Sequence, residues 1–276
     1  MIYRTLISAE DLNAHRAQSN WRVVDCRFEL SRPDAGEVAW RESHIPGSVY
    51  AHLERDLSGR IDPATGRHPL PDPELLAKKL GEWGIDGETQ VVAYDASGGA
   101  LAAARLWWLL RWLGHERVAV LDGGWQAWLA GGFDIDDAIP ATQPVKFPRR
   151  PALVEALGVR AINDNAGLQL IDARGAQRFR GEVEPIDPVA GHIPGAVNHP
   201  FSENLDANGK FLAPEMLRER FRHVVAENAV HYCGSGVTSC HNLLAMEHAG
   251  LSGSRLYAGS WSEWIRDPAR PVAKGD

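Results

Sequence analysis

Residues Val23 to Tyr50 contain VVDCRFEL followed by ESHIPGSVY, and Leu170 to Asn198 contain LIDARGAQRF followed by AGHIPGAVN. One pattern is written twice: Asp25 answers Asp172 at an offset of 172 − 25 = 147, and His44 answers His192 at 192 − 44 = 148. Outward from these, VVAYDASGGALAAARLWWLLRWLG (91–114) matches AVHYCGSGVTSCHNLLAMEHAG (229–250), and DGGWQAW (122–128) matches AGSWSEW (258–264). Four blocks in one order at a nearly constant offset mark an internal duplication. A proline-rich stretch holding Arg149-Arg150 separates the copies, so the expected division is a domain at 1–139, a linker at 140–151 and a domain at 152–276.

Within each copy, short β-branched runs alternate with helical patterns. Val91-Val92-Ala93-Tyr94 reads as a buried strand, and apolar positions at helical spacing then continue to Leu113, with Gly114 as the stop. Asp72-Pro73 opens another helix with proline at its first position, and Gly84 closes it. Strands separated by helices pair in parallel, so each half is expected to be an α/β layer, a parallel sheet with helices on both faces. Sites in such sheets lie beyond the carboxyl ends of the strands, which points to the loops after Tyr94 and Tyr232.

Composition narrows the function classes. Acidic residues outnumber basic ones 36 to 29, a formal charge of −7, which disfavours a nucleic-acid binder. Leu101 to Leu113 is apolar but is interrupted by Arg105 and Arg111 and is too short for a membrane span. The opening MIYRTLISAEDLN has neither the apolar core nor the cleavage site expected of a signal peptide. Cys26, Cys233 and Cys240 cannot form a disulfide framework, which suits a reducing cytoplasm.

One loop carries the chemistry. Cys233-Gly234-Ser235-Gly236-Val237-Thr238 lies between the strand Ala229 to Tyr232 and a helix that runs to His248. A thiol there faces unpaired backbone N–H groups and the positive end of a helix dipole, both of which favour thiolate. The two glycines let the backbone curl around the sulfur. The competing reading is a buried structural cysteine, which fits Cys26 and Cys240 better. A zinc site from His231, Cys233, Cys240 and His241 is not expected, because ligands on a strand and on the following helix do not converge.

These features resemble the two-domain members of the rhodanese superfamily of sulfurtransferases, through the duplicated HIPG turns, the Cys-x-x-Gly-Val-Thr loop and the Gly-Ser-Trp near the end. The resemblance implies tandem rhodanese-like domains, no cofactor, and a Cys233 persulfide that takes sulfur from a small donor and gives it to a thiol, cyanide or thioredoxin-type acceptor. Gly234, Gly236, Val237 and Thr238 would line the donor. Asp95 stands where the first half would carry its cysteine, and a carboxylate cannot form a persulfide, so the first half reads as an inactive copy.

The loop CGSGVT is similar to that of the 3-mercaptopyruvate-using branch, whereas thiosulfate-preferring relatives carry cations after the cysteine. Ser235 would relay a proton to the leaving enolate with a first-half carboxylate, at Glu54 or alternatively Asp56. Arg178 matches the family arginine that holds the donor carboxylate, and a planar guanidinium suits that role by donating two parallel hydrogen bonds. A second family arginine is missing from Glu184-Pro185-Ile186-Asp187, and Arg60 or Arg67 would have to replace it. Thiosulfate remains the alternative donor. A cysteine-dependent phosphatase would need an arginine where Ser239 stands, and a non-catalytic redox or partner-binding module would not need the complete loop.

Overall fold

The strand Gln90–Tyr94 (β4) and its counterpart Ala229–Tyr232 (β9) are buried at every position, so each has cover on both faces. Strands of that kind belong inside a parallel sheet, where crossover helices shield both sides. In this computed structural model, which describes residues 2–164 and 167–276, β4 and β9 are the central strands of two five-stranded sheets. The first sheet also contains Leu6–Ile7 (β1), Trp21–Asp25 (β2), Val49–Tyr50 (β3) and Val118–Leu121 (β5), in the order β1-β5-β4-β2-β3. The second adds Ala156–Leu157 (β6), Gln169–Asp172 (β7), Val197–Asn198 (β8) and Arg255–Tyr257 (β10), in the order β6-β10-β9-β7-β8. Both orders describe one topology, and all the pairings are parallel. The duplication is therefore a duplication of fold.

Helix boundaries follow the local chemistry. Asp72 caps Pro73–Glu82 by accepting from the N–H groups of Glu74 (2.8 Å) and Leu75 (3.1 Å), and Gly84 leaves the helix at φ 73°. The apolar Ala103–Trp112 packs on β4 and β5, and Gly114 ends it at φ 82°. Ser239–His248, the counterpart in the second half, packs on β9 and β10. Among the described residues, no helix is long and apolar enough to cross a membrane.

The four repeated sequence blocks meet at one point in each sheet. Asp25 accepts from Arg27 and from the Tyr94 hydroxyl (2.6 Å), and that hydroxyl in turn receives the N–H of Ile45 in the HIPG turn. Arg27 also reaches the Ser43 carbonyl at 2.6 Å and lies over the Trp125 ring at 4.6 Å. The second half repeats this: Arg174 binds Asp172 and the Gly191 carbonyl, lies over Trp261 at 4.9 Å, and Tyr232 receives the N–H of Ile193. His44 and His192 bond the Trp40 and Phe179 carbonyls through Nδ1 and stack on those same rings. Their shared role is to hold the turn.

The chain forms two compact units that are not contiguous in sequence. One comprises the chain through Gly59, Pro71–Leu153 and Ala207–Phe211; the other comprises Arg60–Leu70, Val154–Asp206 and Leu212–Asp276. The 140–151 stretch has no regular secondary structure but is tied to the first unit: the Val145 N–H bonds the Gly81 carbonyl at 3.0 Å and Phe147 is buried.

Because Arg27 is buried and its charge is balanced by Asp25, Asp25→Ala is expected to cost about 3–5 kcal/mol, the range for removing one partner of a buried pair. Equilibrium urea unfolding followed by tryptophan fluorescence should show this, whereas Glu29→Ala, at the exposed Arg32 pair, should cost below about 1 kcal/mol.

Candidate active site

The turn from Cys233 to Thr238 leaves β9 at its carboxyl end and enters the helix at Ser239. Its backbone closes on the cysteine, with the Gly236 N–H reaching Cys233 Sγ at 3.2 Å. Gly236 has φ 78°, and a Cβ there would lie 2.2 Å from the Ala258 carbonyl oxygen, so only glycine permits this curl. Burial by itself would raise the Cys233 pKa. Hydrogen bonds from the Thr238 hydroxyl and the N–H groups of Ser235 and Ser239 overcome that penalty and hold the thiol below its ordinary value. Cys26 is the contrast: it is fully buried, and burial and then the nearby Asp25, Asp95 and Asp56 carboxylates push its thiol well up. Cys240 is also buried and donates to the Gly236 carbonyl at 3.4 Å.

The second unit brings Ser235, Arg178 and Gly234 to the same loop. Ser235 Oγ lies 2.8 Å from Nδ1 of His68, both residues being buried. His68 comes from the Arg60–Leu70 segment, which belongs to this unit although Pro71–Leu153 of the first unit separates it from the rest. Arg178 is held by Glu184, through Nε at 3.1 Å and Nη2 at 2.7 Å, and by Asp187 at 3.2 Å. Arg67 is ion-paired to the other oxygen of Asp187, whose side chain is only 2 % exposed. Burial raises the Asp187 pKa against the pull of Arg67 and Arg178. Val237 is buried in the turn.

Glu54 belongs to the first unit, where it is exposed in the loop after β3 and its N–H bonds His52 Nδ1 at 3.1 Å. Asp56, the alternative carboxylate, accepts from the His52 N–H at 2.8 Å and pairs with Lys79 at 3.2 Å.

Sequence reasoning missed His68, Asp187 and Ser260. Asp187 lies in an irregular loop, and His68 stands in GRHPLPDPELL (66–76), whose shorter counterpart GKFLAPEML (209–217) has Phe211 in its place, so only a comparison of the copies marks it. Ser260 could have been found by comparing the copies, since it replaces Gly124 in the fourth block and both have φ 56°. Ser260 is the one non-glycine residue with positive φ among the described residues, a conformation that costs about 1–3 kcal/mol. Its hydroxyl accepts the Cys233 N–H at 3.1 Å and donates to the Tyr257 carbonyl at 2.9 Å, fixing the peptide that carries the thiol.

The other copy of the loop closes on its own anion. Asp95 is fully buried, and its carboxylate accepts four backbone N–H groups, from Ser97 (2.8 Å), Gly99 (2.9 Å), Leu101 (3.0 Å) and Ala103 (3.2 Å). The two turns are thus one anion-binding device, closed by a carboxylate in one half and presenting a nucleophile in the other. Chemically, the second supplies a stabilised thiolate, a serine–histidine pair beside it and two guanidiniums at its edge.

Comparison with known proteins agrees with this architecture. The Rhodanese-like domain family matches residues 8–131 and 157–267. A probable 3-mercaptopyruvate sulfurtransferase of Pseudomonas aeruginosa is 50 % identical over 280 residues, covering 98 % of each chain. A putative thiosulfate sulfurtransferase of Mycobacterium tuberculosis is 38 % identical over 92 % of this chain and 90 % of its own. The solved 3-mercaptopyruvate sulfurtransferase of Leishmania major superposes with a TM-score of 0.86 at 33 % identity, over 96 % of this chain and 76 % of that one. With both halves matched by the family and the same sheet topology in each, this chain belongs to the rhodanese family, as a member with two rhodanese-like domains.

Proposed function

We propose that this chain is a sulfurtransferase that takes sulfur from 3-mercaptopyruvate onto Cys233 and passes it to a thiol, cyanide or thioredoxin-type acceptor. The observation that carries the reading is a buried thiol enclosed by its own loop, with the Gly236 N–H on its sulfur at 3.2 Å, beside the Ser235–His68 pair. The names of the Pseudomonas and Leishmania relatives support the donor, and the name of the mycobacterial relative makes thiosulfate the alternative. The second unit, which takes in Arg60–Leu70 and most of the expected 152–276 domain, is the catalytic one, and the copy in 1–139 is inactive because Asp95 fills its cradle. The three cysteines are free thiols, which suits a reducing cytoplasm.

In the first half-reaction, Cys233 thiolate attacks the donor sulfur and an S–S bond forms. The C–S bond breaks, and its electron pair goes to the enolate of pyruvate. The proton of the donor thiol ends on the enolate carbon, leaving pyruvate and a Cys233 persulfide. Ser235 and His68 provide the path for that proton, their hydrogen-bond direction following the imidazole tautomer. Glu54 is the proposed catalytic carboxylate, with Asp56 as the alternative. The N–H groups of Ser235, Gly236 and Ser239 and the Thr238 hydroxyl stabilise thiolate and persulfide alike, and Gly234, Gly236, Val237 and Thr238 line the donor. Arg178 binds the donor carboxylate. In the second half-reaction an acceptor thiolate or cyanide attacks the outer sulfur, and Cys233 leaves as thiolate.

Intact-mass measurement after exposure to 3-mercaptopyruvate should show one added sulfur on the wild type and none on Cys233→Ser. Sulfur retained in that variant, on Cys26 or Cys240, would overturn the assignment. Ser235→Ala or His68→Ala should lower kcat with 3-mercaptopyruvate by about a hundredfold, the scale of general acid–base catalysis, and should affect thiosulfate less, because no enolate needs a proton. Thr238→Val removes a donor that favours thiolate, so the Cys233 pKa rises and the acid limb of the kcat/KM profile should move to higher pH. An unmoved limb would show that Thr238 does not set the thiolate.

A further inference from the structure

Two guanidiniums converge on the residue that follows the reactive cysteine. A Cβ placed on Gly234 would lie 2.9 Å from Arg67 Nη2 and 3.6 Å and 3.7 Å from Arg178 Nη2 and Nη1. They arrive from separate segments: Arg67 from the Arg60–Leu70 excursion, where its N–H is fixed to Ser262 Oγ at 3.0 Å, and Arg178 from the short helix Ala176–Phe179. Arg67 and Arg178 are 25 % and 21 % exposed, so their edges remain accessible to a ligand at the loop. Arg67 Nε is buried and has no acceptor, leaving a donor unanswered beside the cysteine loop. The absence of a side chain at Gly234 makes room for both cations.

Each guanidinium has a carboxylate behind it. Glu184, with a side chain 3 % exposed, pairs with Arg178 and also meets Arg174, which Asp172 neutralises. Asp187 spans the clamp itself, with one oxygen on Arg67 and the other on Arg178. Arg67, Arg174 and Arg178 therefore face Asp172, Glu184 and Asp187, and the cluster carries no net charge. A neutral cluster rich in N–H donors suits a singly charged carboxylate. A dianion brings twice the charge into the same partly desolvated place, and Asp187 cancels the attraction that Arg67 would otherwise give it.

We infer that Asp187, by neutralising Arg67 beside the donor-binding Arg178, sets the preference of the donor site for a monoanionic donor over a dianionic one. This rests on the sulfur-transfer reading of the Cys233 site. It makes Asp187 a specificity determinant.

The test is steady-state kinetics of wild type, Asp187→Asn and Arg67→Gln with 3-mercaptopyruvate and with thiosulfate. Asp187→Asn leaves the shape and removes the charge, so it should raise kcat/KM for thiosulfate relative to 3-mercaptopyruvate by about tenfold, mainly through KM, for one unit charge at this range in a partly screened site. Arg67→Gln leaves Asp187 unbalanced and should move the ratio the opposite way by a similar factor. A pair that only pins the loop would weaken both donors in proportion, and an unchanged ratio in both variants, or shifts of the same sign, would overturn the inference. Should Asp187→Asn fail to fold, the Arg67→Gln shift decides. If the wild type forms a Cys233 persulfide with thiosulfate but not with 3-mercaptopyruvate, the donor reading above fails. The thiosulfate KM values of the two variants, moving in opposite directions or not, still decide the role of Asp187.

Discussion

The structure turns on how a cluster of backbone N–H groups at the end of a parallel strand is satisfied. A turn that directs several donors at one buried point needs an anion there, because each unanswered donor costs about 1–3 kcal/mol. In the first unit the Asp95 carboxylate answers those donors, and the loop is closed. In the second unit the charge is on Cys233, and the same donors that stabilise the fold lower the thiol pKa. Stability and reactivity thus come from one arrangement, and the residue at its centre decides which a copy provides.

Around that turn, the repeated blocks explain why so much of the fold was legible. Asp25, Tyr94, Ile45 and Trp125 are far apart in sequence but surround Arg27, and Asp172, Tyr232, Ile193 and Trp261 do the same for Arg174. Each block is thus a partner of the other three in both halves. The helix at Pro73–Glu82 was readable from its Asp72 cap and Gly84 stop, and the parallel pairing from strands alternating with helices, with the apolar run Val91–Tyr94 in β4.

The site was legible only where chemistry is local. Cys233, Ser235 and the glycines lie in one turn, so their spacing exposes them. His68 reaches Ser235 across 167 positions from a loop with no periodicity, and Asp187 reaches Arg67 across 120, so neither contact leaves a mark in a short window. The expectation that Arg60 or Arg67 would supply a second cation named the right segment, but the carboxylate that holds Arg67 could be seen only in three dimensions. The two-residue strands β1, β3, β6 and β8 are equally silent, since edge pairing and not local propensity makes them strands.

The excursion Arg60–Leu70 also bears on the history of the chain. A tandem duplication begins as two interchangeable copies, either of which can be lost or moved alone. Once the first copy had lent the second a segment carrying Arg67 and His68, while Ala207–Phe211 joined the first unit, neither copy was a complete inheritance. Gene fission between the halves would separate the cysteine from its serine's histidine. The first copy therefore carries a piece of its twin, whether or not it has chemistry of its own.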